Sequence, residues 1–398
     1  MNKLLASLLA TAVAAAQGGK PPGRASQVQV LTDMSGIFSD LSGAGSVEAA
    51  RLAVEDFGGS VLGEPIEVLV ADHQHKPDVG VNIARQWFDV EGVDVVLDVP
   101  NSAIALAVSA LAKEKNKIAM FASAATDRLT EDACNGRGLH WTFDTYSQTR
   151  GAANALVSQG GDTWFLLVAD YAYGHSMEKA MKEAIPAVGG KIVGTVRHPL
   201  KTLDFSSFLL QAQGSKAKIV ALASGGEATV NAIKQGREFG LQQSGQRMAS
   251  LLTFLTDVLA LAWSRSRACS SSFRFTGTWM TRRALSPNAS TSAWARCPER
   301  LGRRLFGGFP LPESGQGDWQ QGSDKVVAKM QEMPVEDMFS RNGRLLPNGR
   351  MIHDMYLIEV KGPDAKKYDW DYYKILSTLP AEKAFRPLSE STCALTKK

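Results

Sequence analysis

Between Val30 and Asp56 the chain reads VLTDMSGIFSDLSGAGSVEAARLAVED, an apolar strand, a Gly/Ser-rich turn and an amphipathic helix in one unit. Such a strand delivers Asp33, Met34 and Ser35 to its carboxyl end. Gly36, Gly43 and Gly45 let backbone approach a guest, and the free N–H groups of the following helix favour an anion. The unit has neither GxGxxG nor the Lys-Ser/Thr pair of a phosphate loop, so as a nucleotide site it is weak. His73 and His75 are spaced to share one face of an extended strand, as two metal ligands would. No third ligand of suitable spacing accompanies them, and no metal is expected. HExxH, GxSxG and a paired CxxC are missing too. The residue inventory points to binding rather than catalysis, with no cofactor.

A turn of this kind has to be carried by a sheet. Apolar strands alternate with amphipathic helices over the first ~250 residues, which predicts a parallel, doubly wound arrangement. Strands are expected at Ile66–Ala71, Val93–Asp98 and Ile118–Ser123, with helices at Val79–Asp89 and Ala103–Glu114 between them. After a loop holding Cys134 the cycle restarts. Helices are expected at Gln148–Gln159, Ser176–Val188, Ser206–Ala212 and Glu227–Phe239, and strands at Thr163–Ala169, Lys191–Arg197, Ile219–Ala223 and Ser250–Leu255. Two successive βα halves mean two lobes, and ligands of such folds sit at the strand ends, in a cleft that both lobes face.

The 398 residues exceed what one core usually supports, and 44% hydrophobic with 21% charged residues fits a globular protein. Met1 to about Ala16 has one Lys, a Leu/Ala run and a small-x-small end, the pattern of a secretory signal peptide too short for a membrane span. Gln17 to Gln27 is aperiodic and reads as a disordered leader. The net charge of +4 is uneven: Trp263 to Gly322 holds nine Arg, no Lys and three acids, leaving the remainder at −2. Nucleic acid is therefore not an expected partner. In the same segment periodicity collapses, and a structureless stretch of roughly 60 residues inside a compact domain argues against itself. Ordinary sequence resumes at Asp324 with a helix over Lys325–Met333.

The segments LTDMSGIFSDLSGAGSVEAARLAVEDFGG, ADHQHKPDVGVNIARQWFD, VPNSAIALAVSALAKEKNK, ADYAYGHSMEK, RHPLKTLDFSSFLLQAQGSKAKIVALA and GRMIHDMYLIEVK carry a family resemblance. They look like the periplasmic substrate-binding proteins of ABC importers, within them the leucine/isoleucine/valine-binding family, in a branch that takes varied small carboxylates and amino-acid-like solutes. The resemblance covers about Val28–Ala260 and Asp324–Leu395. It fails in between, where that branch has a Phe-Tyr-Trp-Asp motif and an Ala-Gly-Val-Tyr-Ser helix. Back-translation accounts for the gap. Phe275 to Arg282, read two bases later, permits Tyr-Trp-Asp, then Leu, Met or Val, then Asp-Asp-Glu, the adjacent Asp pair being forced by the unique codons of Trp279 and Met280. Leu301 to Gln316, read one base later, permits Ala-Gly-Val-Tyr-Ser. Roughly Trp263 to Gly322 is therefore expected to be out-of-frame translation that misfolds within the first lobe.

The resemblance implies a ligand set. Asn101 and Ser102, between a strand and a helix, would offer a hydroxyl and backbone N–H groups to a carboxylate, a place where a plain N-cap is the simpler alternative. The backbone at Ala124 and Ala125 and the hydroxyl of Thr126 would receive the ligand's carboxylate and ammonium. Tyr173 would close over the guest from the second lobe and Phe38 from the first. Gly225 and Phe254 would line the place where the family binds an ammonium, although the acid or Tyr usual there is missing, with only Glu227 adjacent. Two of the four Cys, Cys269 and Cys297, fall in the anomalous segment. Cys134 and Cys393 remain as an even pair in an oxidising compartment, and a disulfide between them is expected.

The expected architecture is α/β: two doubly wound parallel-sheet lobes joined by three hinge crossings, a type I periplasmic binding protein. Lobe 1 would be 28–145 plus 258–350 and lobe 2 146–257 plus 351–398, with crossings near Thr142–Tyr146, Thr256–Ala260 and Asn348–Asp354. The expected function is a monomeric periplasmic component of an ABC importer, capturing a small amino acid or carboxylate in the inter-lobe cleft and passing it to permease membrane subunits. A sensory module of a signalling system and a non-functional frameshifted remnant are the alternatives.

Overall fold

The computed structural model describes residues 26–61, 64–263, 276–280, 323–336, 340, 342–361, 365, 367 and 371–397. The chain divides into two compact units, 1–143 with 292–354 and 381–398, and 144–291 with 355–380.

In the first unit the strands are β1 (Ser26–Thr32), β2 (Ser60–Val61), β3 (Glu64–Asp72), β4 (Val95–Asp98), β5 (Ile118–Phe121) and β6 (Gly138–His140). Their sheet order is β2-β3-β1-β4-β5-β6. All neighbours run parallel except the short β2–β3 pair. The helices are α1 (Gly43–Phe57), α2 (Pro77–Asp89), α3 (Ser102–Glu114) and, after the undescribed stretch, α9 (Ser323–Glu332). Alternation along the strands splits the core into two layers. Val28, Val30, Val95, Leu97, Ile118 and Met120 pack with α1 and α9, whereas Leu31, Val96, Ala119 and Phe121 pack with α2 and α3. Because β1 lies between β3 and β4, the winding reverses there, and the carboxyl ends of β1 and β4 form the switch point where ligands of such sheets bind.

The second unit repeats the plan. Strands β7 (Thr163–Ala169), β8 (Lys191–His198), β9 (Ile219–Ala223) and β10 (Arg247–Ser250) run parallel in the order β10-β9-β7-β8, so its switch point lies between β7 and β9. Its helices are α4 (Thr145–Ser158), α5 (Ala172–Ala187), α6 (Ser206–Gly214), α7 (Glu227–Glu238) and α8 (Leu255–Trp263). An antiparallel sheet, β11 (Thr276–Met280), β14 (Met355–Val360) and β15 (Tyr373–Leu379), completes it. The first unit closes with the β12 (Arg344–Leu345) and β13 (Met351–Ile352) pair and the short helix α10 (Ala381–Ala384).

Three expectations need correction. The apolar run Leu251–Phe254 reads as strand by hydrophobicity alone, yet β10 ends at Ser250. There Thr253 Oγ1 donates to Ser250 Oγ at 2.7 Å, and the Asp257 carboxylate accepts the Phe254 N–H at 2.8 Å, which starts α8. Thr256–Ala260, where a crossing was expected, are continuous helix grouped with the second unit. The tail after Pro380 belongs with the first unit rather than the second. Buried Glu131 holds it there, accepting from Thr392 N at 2.7 Å, Thr392 Oγ1 at 3.1 Å and Ser391 Oγ at 3.2 Å. Cys134 and Cys393 are joined by a disulfide of 1.99 Å. The chain passes between the units at 143/144 and 354/355. The return to the first unit at 291/292 and most of the segment read as out-of-frame lie outside the described residues, as do the expected signal peptide and nearly all of the leader. Among the described residues no helix is long and apolar enough to cross a membrane.

Candidate functional site

At the first switch point the chain turns through strained backbone. Asp98 and Val99 have φ of +79° and +54°, a region costly for a β-branched residue. The turn is held by Asp98, whose carboxylate accepts from Thr32 Oγ1 at 2.7 Å and Ser123 Oγ at 2.6 Å, tying together the tips of β1, β4 and β5. Burial pushes the Asp98 carboxyl up, against the pull of these hydroxyls. The reversal delivers Asn101 and Ser102 to the start of α3. Asn101 Oδ1 accepts from Ala103 N at 2.8 Å and Ile104 N at 3.1 Å, so the side chain is a working N-cap. Its amide nitrogen faces His75 Nε2 at 2.8 Å. Ser102 Oγ accepts from Thr126 N at 3.3 Å, which brings the α3 start together with the turn after β5. The Ser102 hydroxyl proton and N–H remain as donors on the first turn of α3, where the macrodipole favours negative charge.

The other first-unit candidates sit around this point. Ala124 and Ala125 are buried, and Ala124 O accepts from His140 Nε2 at 2.7 Å. Burial and the nearby Arg350 hold that imidazole neutral, its pKa well below the usual range. Thr126 Oγ1 caps the one-turn helix Asp127–Thr130. Phe38 is buried and meets the His75 ring edge-on at 4.7 Å. Its N–H donates to Asp33 Oδ2 at 3.0 Å, and Gly36 N to Oδ1 at 2.7 Å. A Cβ on Gly36 would lie 2.4 Å from Asp33 Oδ1, so this glycine admits the chain's own carboxylate. Burial opposes ionisation of Asp33, but His75 and the two N–H groups outweigh it and the pKa is lowered. Asp72 is likewise occupied, accepting from Met34 N, Gln74 N and Ser35 Oγ. Among the described residues, the strand-tip carboxylates Asp33, Asp72 and Asp98 of this unit all accept from protein donors.

His73 and His75 do not share a strand face. β3 ends at Asp72, and Gln74 and His75 take φ of +52° and +58°. The rings are 6.5 Å apart, and among the described residues no three potential ligands gather for a metal ion. His73 Nδ1 instead accepts the His75 N–H at 3.0 Å, and burial depresses its pKa to about 4.

In the second unit Tyr173 lies in the first turn of α5, after β7. It is 1% exposed, its Oη is buried without a hydrogen-bond partner among the described residues, and its ring lies 5.9 Å from that of Tyr171. Gly225 follows β9, and Gly226 starts α7 with φ 60° and ψ −140°, a conformation that demands glycine. Glu227 is exposed on the first turn of α7. Half-buried Phe254 precedes α8. Sequence reasoning missed Asp98 and the bridging part played by His75. The only available signal was an ionisable residue placed at the end of an apolar strand.

The profile of a family described as "Periplasmic binding protein" matches residues 27–296. A crystallised periplasmic binding protein from Burkholderia mallei is 39% identical, covers 94% of this chain and 99% of its own, and superposes with a TM-score of 0.81. A branched chain amino acid ABC transporter periplasmic ligand-binding protein from Burkholderia xenovorans LB400 is 37% identical over 93% of this chain and 100% of its own, TM-score 0.71. Leu/Ile/Val-binding protein homolog 6 of Brucella melitensis biotype 1 is 26% identical over 221 residues, 55% of this chain. The match spans about half the length of such curated relatives, 56% in that case.

Proposed function

The chain belongs to the periplasmic binding protein family, whose members bind solutes rather than transform them, and we propose that it captures a small organic carboxylate for an ABC importer. The observation that carries the ligand class is the start of α3. Its first turn presents the Ser102 N–H and hydroxyl at the switch point, while Asp33, Asp72 and Asp98 are all engaged by protein donors. These features support carboxylate recognition over ammonium recognition. Buried Phe38 and Tyr173, the latter with an unpartnered hydroxyl, favour an aromatic or hydroxylated acid. The same fold, at 20% identity, holds 3,4-dihydroxy benzoic acid in a solute-binding protein from Rhodopseudomonas palustris BisB5. The names of the relatives favour a second reading, a branched-chain amino acid, for which Glu227, next to Gly226, would supply the acid.

Residues Asn101, Ser102, Ala124, Ala125, Thr126 and Phe38 of the first unit, with Tyr173, Gly225 and Phe254 of the second, form the proposed ligand set. The protein acts in the periplasm as a monomer and hands its solute to the permease subunits. The segment 263–322 is part of the proposal as an out-of-frame stretch. A thermal-shift panel of amino acids, aromatic acids, amides and short carboxylates tests the ligand class. Stabilisation by acids without an amine supports it, and stabilisation by amino acids alone transfers the assignment to the second reading.

A further inference from the structure

His75 joins the two sides of the first switch point, and it is only 8% exposed. Its Nδ1 lies 3.2 Å from Asp33 Oδ2 and its Nε2 2.8 Å from Asn101 Nδ2. The start of α3 fixes the protons. Asn101 Oδ1 must face the N–H groups of Ala103 and Ile104, so the NH2 faces the ring. His75 Nε2 is therefore an acceptor, and the ring proton sits on Nδ1, donated to Asp33.

Taking the turn before α3 as the receiver of a solute carboxylate, we infer that His75 is the positioning residue of that turn: as the Nδ1–H tautomer it accepts from the Asn101 amide at Nε2 and holds it in its capping orientation, and losing that acceptor weakens carboxylate binding. Without the Nε2 lone pair the Asn101 amide N–H loses its partner at 2.8 Å. The amide is then free to rotate, its oxygen leaves the α3 N–H groups, and the cap that aligns Ser102 is weakened. The charged and titratable groups near the ring come from three elements. Asp33, from the β1–α1 turn, keeps its charge because of its hydrogen bonds. At the end of β3, Asp72 is held ionised by Ser35 and two backbone N–H groups despite some desolvation, and His73 stays neutral down to about pH 4. Before α2, the Lys76 ammonium donates to Gln74 Oε1. Asn101 and Ser102 bring no charge from the α3 side.

Two measurements on the full chain test this. Long-range 15N–1H correlation with labelled histidine at pH 7.5 is expected to show His75 as the Nδ1–H tautomer, and an Nε2–H tautomer overturns the inference. Calorimetric titration with 4-hydroxybenzoate as probe at pH 7.5 is expected to show that His75→Phe, which lacks the Nε2 acceptor, loses affinity by about fivefold or more, the equivalent of one helix cap. His75→Gln, whose amide oxygen can accept in place of Nε2, should recover part of the loss. Asn101→Asp, which keeps a good cap, should retain Tm while excluding the anion. Undiminished affinity in His75→Phe refutes the inference while leaving carboxylate binding intact. Absence of binding to 4-hydroxybenzoate and every other carboxylate, in the chain as given and with its frame restored, removes the functional reading itself, and the inference with it.

Discussion

Replacing Cys134 and Cys393 by serine cuts a link between residues 259 apart in sequence and leaves the tail's other contacts in place. Glu131 would still accept from Ser391 and Thr392, and Asn348 would still donate to Thr130 O at 3.0 Å. The native state therefore changes little, and the loss comes from freeing the unfolded chain. For a loop of this length the chain-entropy relation gives about 5.5 kcal/mol as an upper bound, and native disulfides typically deliver about 2–4 kcal/mol. Urea unfolding of the oxidised protein and the double variant, read by hydrogen exchange so that the two units are followed separately, measures it. The expected result is a loss of about 2–4 kcal/mol in the first unit, with exchange in β7 and β9 of the second unchanged. Equal unfolding midpoints and slopes in both proteins, or recovery of both thiols free by non-reducing peptide mapping, would refute the reasoning.

Acid should destabilise the fold through its buried imidazoles. Burial lowers the pKa of His73 to about 4 and also depresses those of His140 and His198, so between pH 6.5 and 4 the unfolded chain binds more protons and stability falls as pH falls. For His73 the shift corresponds to about 3 kcal/mol, and His73→Gln should flatten the pH–Tm curve in that window. Tyr173→Phe removes a buried hydroxyl that has no partner, so Tm should hold or rise while affinity for a hydroxylated aromatic acid drops severalfold; unchanged affinity would take Oη out of the site. Restoring the reading frame across 263–322 should raise soluble yield and enlarge ligand-dependent thermal stabilisation. Equal melting and binding in the two versions, or peptides from an uninterrupted single frame, would count against the frame reading.

The βα alternation was legible because each element declares its period: Val95–Asp98 and Thr163–Ala169 are apolar and short, while Pro77–Asp89 is amphipathic. Where period was silent, the reading slipped. Leu251–Phe254 is apolar in either conformation, and only Asp257, three residues after Phe254, marks the helix start. The tail's place depended on contacts from Glu131 to Ser391 and Thr392, a separation no local pattern reports. At the site, the turn before α3 was visible as a cap, but spacing misread His73 and His75. Their alternation presumed an extended strand, and the left-handed backbone at Gln74 and His75 breaks it. The bracket around Asp98 joins Thr32 to Ser123, residues 91 apart, through a turn whose strain is a property of the folded sheet.

The most direct test of the account is calorimetric titration of the purified full chain with the carboxylate that stabilises it most, followed by mass spectrometry of the solute released on denaturation. One solute bound per chain and recovered unaltered is the predicted result. Recovery of a converted product, or saturable binding that survives Ser102→Ala and Asn101→Asp undiminished, would contradict it.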